Sequence, residues 1–198
     1  DTDVGAPNLS DVAGSLIAVL DYCLVAGLGW TKPYSGTNKA VYQMPPGSSG
    51  RYLRVDDSIG ASARLVGYAS MSGIGTGSGP FPTVAQAASG LLHSKSAAGA
   101  GRPWAFFGSG AFFLFVSHDG NYNRMSAFGD PIRRSLTDAY ATTLLADSST
   151  DIYSLTQPTT VYSLSAAAIT PHSFCRSLGG LGGAVPAQLN ICFNTMDP

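Results

Sequence analysis

Apolar residues in the stretch 9–32 (LSDVAGSLIAVLDYCLVAGLGWTK) recur at spacings of three and four: Val12, Leu16, Val19, Leu20, Cys23 and Leu24. That spacing predicts an amphipathic helix over 12–26. Ser10 or Asp11 can accept bonds from its first free amides, and Gly27 or Gly29 can end it in a left-handed turn. So many apolar side chains on so short a helix need a sheet to cover them.

The remaining pattern supplies one. Segments 29–36 (GWTKPYSG) and 39–45 (KAVYQMP) predict a hairpin with its turn at Gly36-Thr37-Asn38, followed by a loop over 45–50. RYLRVDDS (51–58) alternates, with Tyr52 and Arg54 on one side and Leu53 and Val55 on the other. ARLVGYASM (63–71) alternates again, and the two pair across 59–61. The stretch 72–83 (SGIGTGSGPFPT) matches no phosphate-binding glycine pattern and reads as a wandering surface loop. Residues 84–96 suit a short helix or an edge segment, and 97–102 a flexible link.

The most strand-like region is 103–119 (PWAFFGSGAFFLFVSHD), in which GSG joins two apolar runs into a buried hairpin. Trp104, Phe106, Phe107, Phe112, Phe113 and Phe115 are expected to form much of the core facing the helix. A stacking platform for bases or sugars is the rival, but no basic residues interleave. Strands are also predicted at 124–130 and 140–146, around a turn at 131–138. The expected fold is β-rich α+β: an N-terminal helix packed on an antiparallel sheet or sandwich. Residues 1–10 form an N-terminal arm, 11–147 the core domain, and 148–198 a C-terminal arm with short strands.

Composition sharpens this picture. Of 198 residues, 44% are hydrophobic and 12% charged, about half the usual charged share. All twelve acids are Asp; without Glu, the common filler of helix surfaces, helices should be few. A net charge of −1 with scattered basic residues gives no electrostatic case for nucleic acid. Arg133-Arg134 reads as a solvated turn. No stretch reaches the length of a membrane span, and the helix lacks the basic leader of a signal peptide.

Candidate chemistry is sparse. Asp56-Asp57 is the one adjacent carboxylate pair, but neighbouring strand residues point to opposite faces, so a structural ion pair with Arg51, Arg54 or Arg64 is favoured over acid–base work. The spacing also fails the Ca²⁺-loop pattern. His93, His118 and His172 lie far apart; His118-Asp119 suits a serine triad, yet no GxSxG elbow supplies a nucleophile. Cys23, Cys175 and Cys192 form no CxxC pair: Cys23 reads as a core residue, and Cys175 and Cys192 flank a glycine-rich loop that a disulfide can close. No catalytic, metal or cofactor-binding residue is assigned.

Three segments together carry a resemblance: 5–43, then 51–58 with 63–83, then 128–147 (FGDPIRRSLTDAYATTLLAD). The run of helix, GW, SGTNKA and LRVDD resembles a family of uncharacterised proteins encoded among the virion structural genes of tailed bacteriophages, often labelled tail or structural proteins. Family members often insert a β-rich module before the GWTK segment, whereas here Gly27-Leu28-Gly29 runs straight on. The resemblance spans roughly 5–147 and implies a virion component, tail or baseplate first, capsid decoration or neck second. That reading expects homo-oligomeric contacts and other virion proteins as partners; from the charge and span lengths above, neither nucleic acid nor membrane is expected, and no cofactor is assigned. Two rival classes stand beside it. One is a receptor- or glycan-binding module using the 72–82 loop and exposed Trp30, Tyr34, Trp104 and Tyr122. The other is a polysaccharide hydrolase relying on Asp56 or Asp57.

Overall fold

The computed structural model describes residues 4–85, 89–96, 99–120, 123–131, 142–147 and 172–176. A helix α1 (Ser15–Leu20) continues as a wider π-helical segment (Asp21–Gly27). A five-stranded antiparallel sheet follows, in the order β1 (Thr31–Gly36), β2 (Lys39–Gln43), β3 (Tyr52–Asp56), β4 (Ser62–Tyr68) and β7 (Leu91–Ser94). A hairpin of β5 (Ser70–Gly73) and β6 (Thr76–Ser78) interrupts it between β4 and β7. The second antiparallel sheet contains β8 (Trp104–Ser109), β9 (Phe112–His118), β10 (Asn123–Gly129), β11 (Thr143–Asp147) and β12 (His172–Arg176), each beside its predecessor. The β-rich α+β class is therefore the observed one. Of the expected C-terminal arm, β12 is described. The Cys175–Cys192 pairing, Tyr122, and nearly all of the 131–138 turn and of 148–198 lie outside the described residues.

One core takes side chains from the helix and both sheets. Leu16, Val19, Leu20 and Leu24 of the helical segment meet Tyr42, Leu53, Val55 and Leu65 of the first sheet and Phe113, Phe115, Phe128 and Leu144 of the second. Each large apolar residue buried there contributes on the order of 1.5–3 kcal/mol. Tyr42 ties sheet to helix, its hydroxyl donating to Asp21 Oδ1 (2.9 Å) and the Ile17 carbonyl (3.2 Å). Burial, and after it the Asp21 charge, push this phenol well above its ordinary pKa. Cys23 packs half-buried against the core, and burial raises its thiol to about 11.

Three expectations are corrected. Val12 is exposed, because it lies in the turn before α1, where helical periodicity does not yet apply. In the aromatic hairpin, Phe113 and Phe115 are buried and Trp104 and Phe106 pack against the core, but Phe107 is 60% exposed. Among the described residues β8 is the edge of its sheet, and it alternates inward and outward, so the hairpin is buried on one side only. The 72–83 stretch does not wander: after the β5–β6 hairpin, Phe81 bridges to Gly67 on β4 and stacks on Phe128 with ring centroids 6.1 Å apart. Gly67 makes this possible, since a Cβ there would collide with the Phe81 ring. Residues 84–96 supply an edge strand, β7, rather than a helix. At the N-terminus, Leu9 is wholly buried in the core, so the 1–10 stretch is anchored at its end.

Candidate functional site

Asp56 and Asp57 point to opposite sides of the first sheet, as alternation requires, and each is engaged in an ion pair. On the inner side, Asp57 and Lys95 are both fully buried and in direct contact. The same carboxylate accepts from the Leu16 amide at 2.8 Å, and the Asp57 carbonyl accepts from the Gly14 amide at 3.0 Å. Asp57 thus caps α1 from another strand end. Ser10 and Asp11, the predicted caps, do not: the position before the helix is Gly14, at φ 88°, with no side-chain cap. Lys95 also donates to the Val12 carbonyl (2.9 Å) and Ser15 Oγ (3.3 Å). Burial pushes the Asp57 carboxyl up, against the downward pull of Lys95 and the Leu16 and Ile17 amides.

Beside this pair runs a row of buried polar side chains. His93 on β7 is fully buried, with Nδ1 2.7 Å from Ser126 Oγ and Nε2 3.0 Å from Ser117 Oγ. Its ring lies 5.1 Å from that of Phe115. The adjacent Arg124 donates to Asp119 at 2.6 Å, both nearly buried. Burial, then the charges of Arg124 and Lys95, lower the His93 pKa to about 3, with Asp119 opposing. A neutral imidazole held by two buried hydroxyls fills space and satisfies polar groups. His118 does not join it, accepting instead from the Gly120 amide at 3.1 Å, while its neighbour Asp119 is taken by Arg124. The serine-triad reading of His118-Asp119 is not what this geometry assembles.

The outer side of the first sheet is more open to ligands. Register places Val41, Arg54 and Val66 in one row, yet both valines are buried, because the β5–β6 hairpin folds over that face. Arg54 Nε donates to the Ile74 carbonyl at 2.9 Å, and Tyr34 Oη to the Met71 carbonyl at 3.4 Å. Asp56 accepts from Lys39 (3.2 Å), from Arg54 (3.5 Å) and from Ser58. Partial burial pushes its carboxyl up, but the bonds from Ser58 and Lys39 outweigh this and hold it below the ordinary range. Beside these groups a half-open cleft of about 240 Å³ is lined by Arg54, Asp56, Arg64, Tyr68, Pro80 and Pro82, among others.

The expected aromatic patch does not form among the described residues. Trp30 is 2% exposed and sits edge-on to Phe113 (5.9 Å) and Phe128 (6.0 Å), while Trp104 packs on the core and donates Nε1 to the Pro7 carbonyl at 2.9 Å. Nor do any three described His, Cys or acidic residues cluster as metal ligands do. No described helix is long and apolar enough to cross a membrane.

Sequence reasoning did not single out Lys95, Ser117 or Ser126, and weighed His93 only as an isolated histidine. Period-two alternation carries the signal for three of them: His93 follows Leu91, Ser117 follows Phe113 and Phe115, and Ser126 precedes Phe128 on the inward rows. Lys95 lies just past the end of β7, one step further along the inward row of Leu91 and His93, where a lysine is not expected. Compared with known protein families, curated proteins and solved structures, the chain matches none.

Proposed function

We propose that this chain is a non-enzymatic structural component of a tailed-bacteriophage virion, tail- or baseplate-associated, working through contacts with further copies of itself and with other virion proteins. The resemblance over 5–147 supplies the class. The observation that carries the mode of action is the edge of β8. Residues 7–9 cover only its foot, where the Arg102 amide donates to the Leu9 carbonyl at 2.7 Å and Trp104 donates to Pro7. Beyond that point the outer edge of β8 has no neighbouring strand among the described residues, and Phe107 projects from it 60% exposed. A bare strand edge is a row of amides and carbonyls ready to pair with another chain. A flanking aromatic is the kind of side chain that anchors such contacts. The two adjacent carboxylates, the one candidate acid–base pair, are both engaged in ion pairs, which favours a structural role over hydrolysis.

Immunogold labelling of intact particles of the phage that encodes the chain tests the class. Gold at the tail tip is the expected result, and gold over the head makes the chain a decoration protein instead. Absence of the protein from particles by both labelling and mass spectrometry overturns the reading. For the contact itself, Phe107→Asp should shift the purified protein toward monomer in sedimentation velocity while leaving its melting temperature nearly unchanged. An unaltered mass distribution would exclude the β8 edge.

A further inference from the structure

The geometry points to the cleft between strands β3–β4 and the 80–84 and 89–90 segments as a binding site for a carboxylate-bearing sugar, with Arg64 as the residue that takes the carboxylate. Arg64 stands directly across from Asp56 in the β3–β4 register, the usual position for a cross-strand ion pair. Asp56 is nevertheless taken by Lys39, Arg54 and Ser58, and Arg64 forms no ion pair among the described residues. Its Nε is shut off from water and has no hydrogen-bond partner among them. A ligand in the cleft therefore meets the two outer nitrogens of the guanidinium, which have no partner among the described residues, and not Nε. Lys39, Arg54 and Arg64 set three cations against the single carboxylate of Asp56, so this corner of an otherwise near-neutral chain is positive.

The identity of the ligand follows from the cleft walls. A planar guanidinium matches a planar carboxylate through two parallel bonds, a fit that a lysine lacks. The flanking Tyr68, Pro80 and Pro82 offer flat, uncharged surfaces of the sort on which a sugar ring rests. A volume of about 240 Å³ suits one ring rather than an extended chain. Arg54 is held at its Nε by the Ile74 carbonyl and cannot turn freely, which leaves Arg64 as the free fork. This reading goes beyond the assembly role and does not depend on it, because binding is read on the purified protein and location on the particle.

The test is titration of the full chain with N-acetylneuraminic acid and with galacturonic acid, followed by 1H–15N NMR. Wild type should show saturable shifts at the Arg64 side-chain NH and at the backbone amides of Tyr68, Ser89 and Gly90, with a millimolar Kd. Arg64→Gln should weaken binding at least tenfold, Arg64→Lys should fall between, and both should keep the wild-type amide spectrum elsewhere. Galactose, the neutral counterpart, should bind at least tenfold more weakly than galacturonic acid. Absence of shifts in wild type with either acid sugar overturns the site, and so does unchanged binding by Arg64→Gln. Equal binding of acetate or phosphate overturns the assignment to a sugar and reduces the site to one for any small anion. If Arg64→Gln fails to fold, the location of the shifts in wild type decides alone.

Discussion

Removing both members of the Asp57–Lys95 pair should cost far less than the sum of the two single removals. Each side chain is fully buried, so a lone survivor is a charge in a poor dielectric. Asp57→Asn keeps an acceptor for the Leu16 amide but leaves the Lys95 ammonium with only the Val12 carbonyl and Ser15 Oγ. About 3–5 kcal/mol of stability should be lost. Lys95→Met strands the carboxylate instead, yet that carboxylate still accepts from Leu16 and Ile17 at the positive end of α1. Those donors stabilise an anion, so the loss should be smaller, about 2–3 kcal/mol. The double variant holds no buried charge and should lose no more than the worse single one. A double-mutant cycle then returns a coupling of at least about 2 kcal/mol. Urea unfolding followed by the fluorescence of Trp30 and Trp104 measures all four proteins; with a slope near 2 kcal/mol per molar, Asp57→Asn should move the midpoint down by about 2 M. Additive single losses would show that the pair is not coupled. A larger loss for Lys95→Met than for Asp57→Asn would refute the account of Asp57 as a helix cap.

Two further predictions rest on the same core. The His93 pKa lies near 3 in the folded chain against an unfolded value of 6.5, so the unfolded state takes up a proton first as pH falls. Stability from this residue is fully present above pH 6.5 and is lost toward pH 3, at up to about 1.4 kcal/mol per pH unit. The urea midpoint of wild type should therefore fall more steeply between pH 6.5 and 4 than that of His93→Gln; parallel profiles would exclude His93 as the source. Gly67→Ala places a methyl against the Phe81 ring, which must leave its stack on Phe128. Overpacking of this kind costs about 1–3 kcal/mol, and Phe81→Leu in the same chain should recover part of it in thermal unfolding.

Where a structural feature depends on alternation or on turn chemistry, it was legible in the chain itself. The hairpin across Thr37-Asn38, the β3–β4 pair and the opposite facing of Asp56 and Asp57 all follow from a period of two. The helix was legible in its apolar face from Leu16 to Leu24 and in its stop at Gly29, which adopts φ 71°. Its start was not, because the cap comes from residue 57 and its counter-charge from residue 95, and no local spacing encodes partners so distant. The same holds for Phe81, whose place in the core depends on the absent side chain at Gly67. A glycine-rich, proline-flanked stretch reads as a loop until the surface it covers is known.

That covering also separates the two proposed contact regions. The inner side of the first sheet spends its polar residues on one another: Asp57 on Lys95, and His93 on Ser117 and Ser126. The outer side does not close its accounts in this way. Lys39, Arg54 and Ser58 converge on Asp56, and the surplus cation is Arg64, in a cleft roofed by the segment that the chain folds back after β4. The exposed Phe107 on the β8 edge belongs to the second sheet. A chain that contacts its neighbours through one sheet edge and a ligand through the face of the other sheet can do both at once. Phe107→Asp should therefore leave sugar binding intact, and Arg64→Gln should leave association intact; cross-talk between the two variants would mean that the edge and the cleft are one surface.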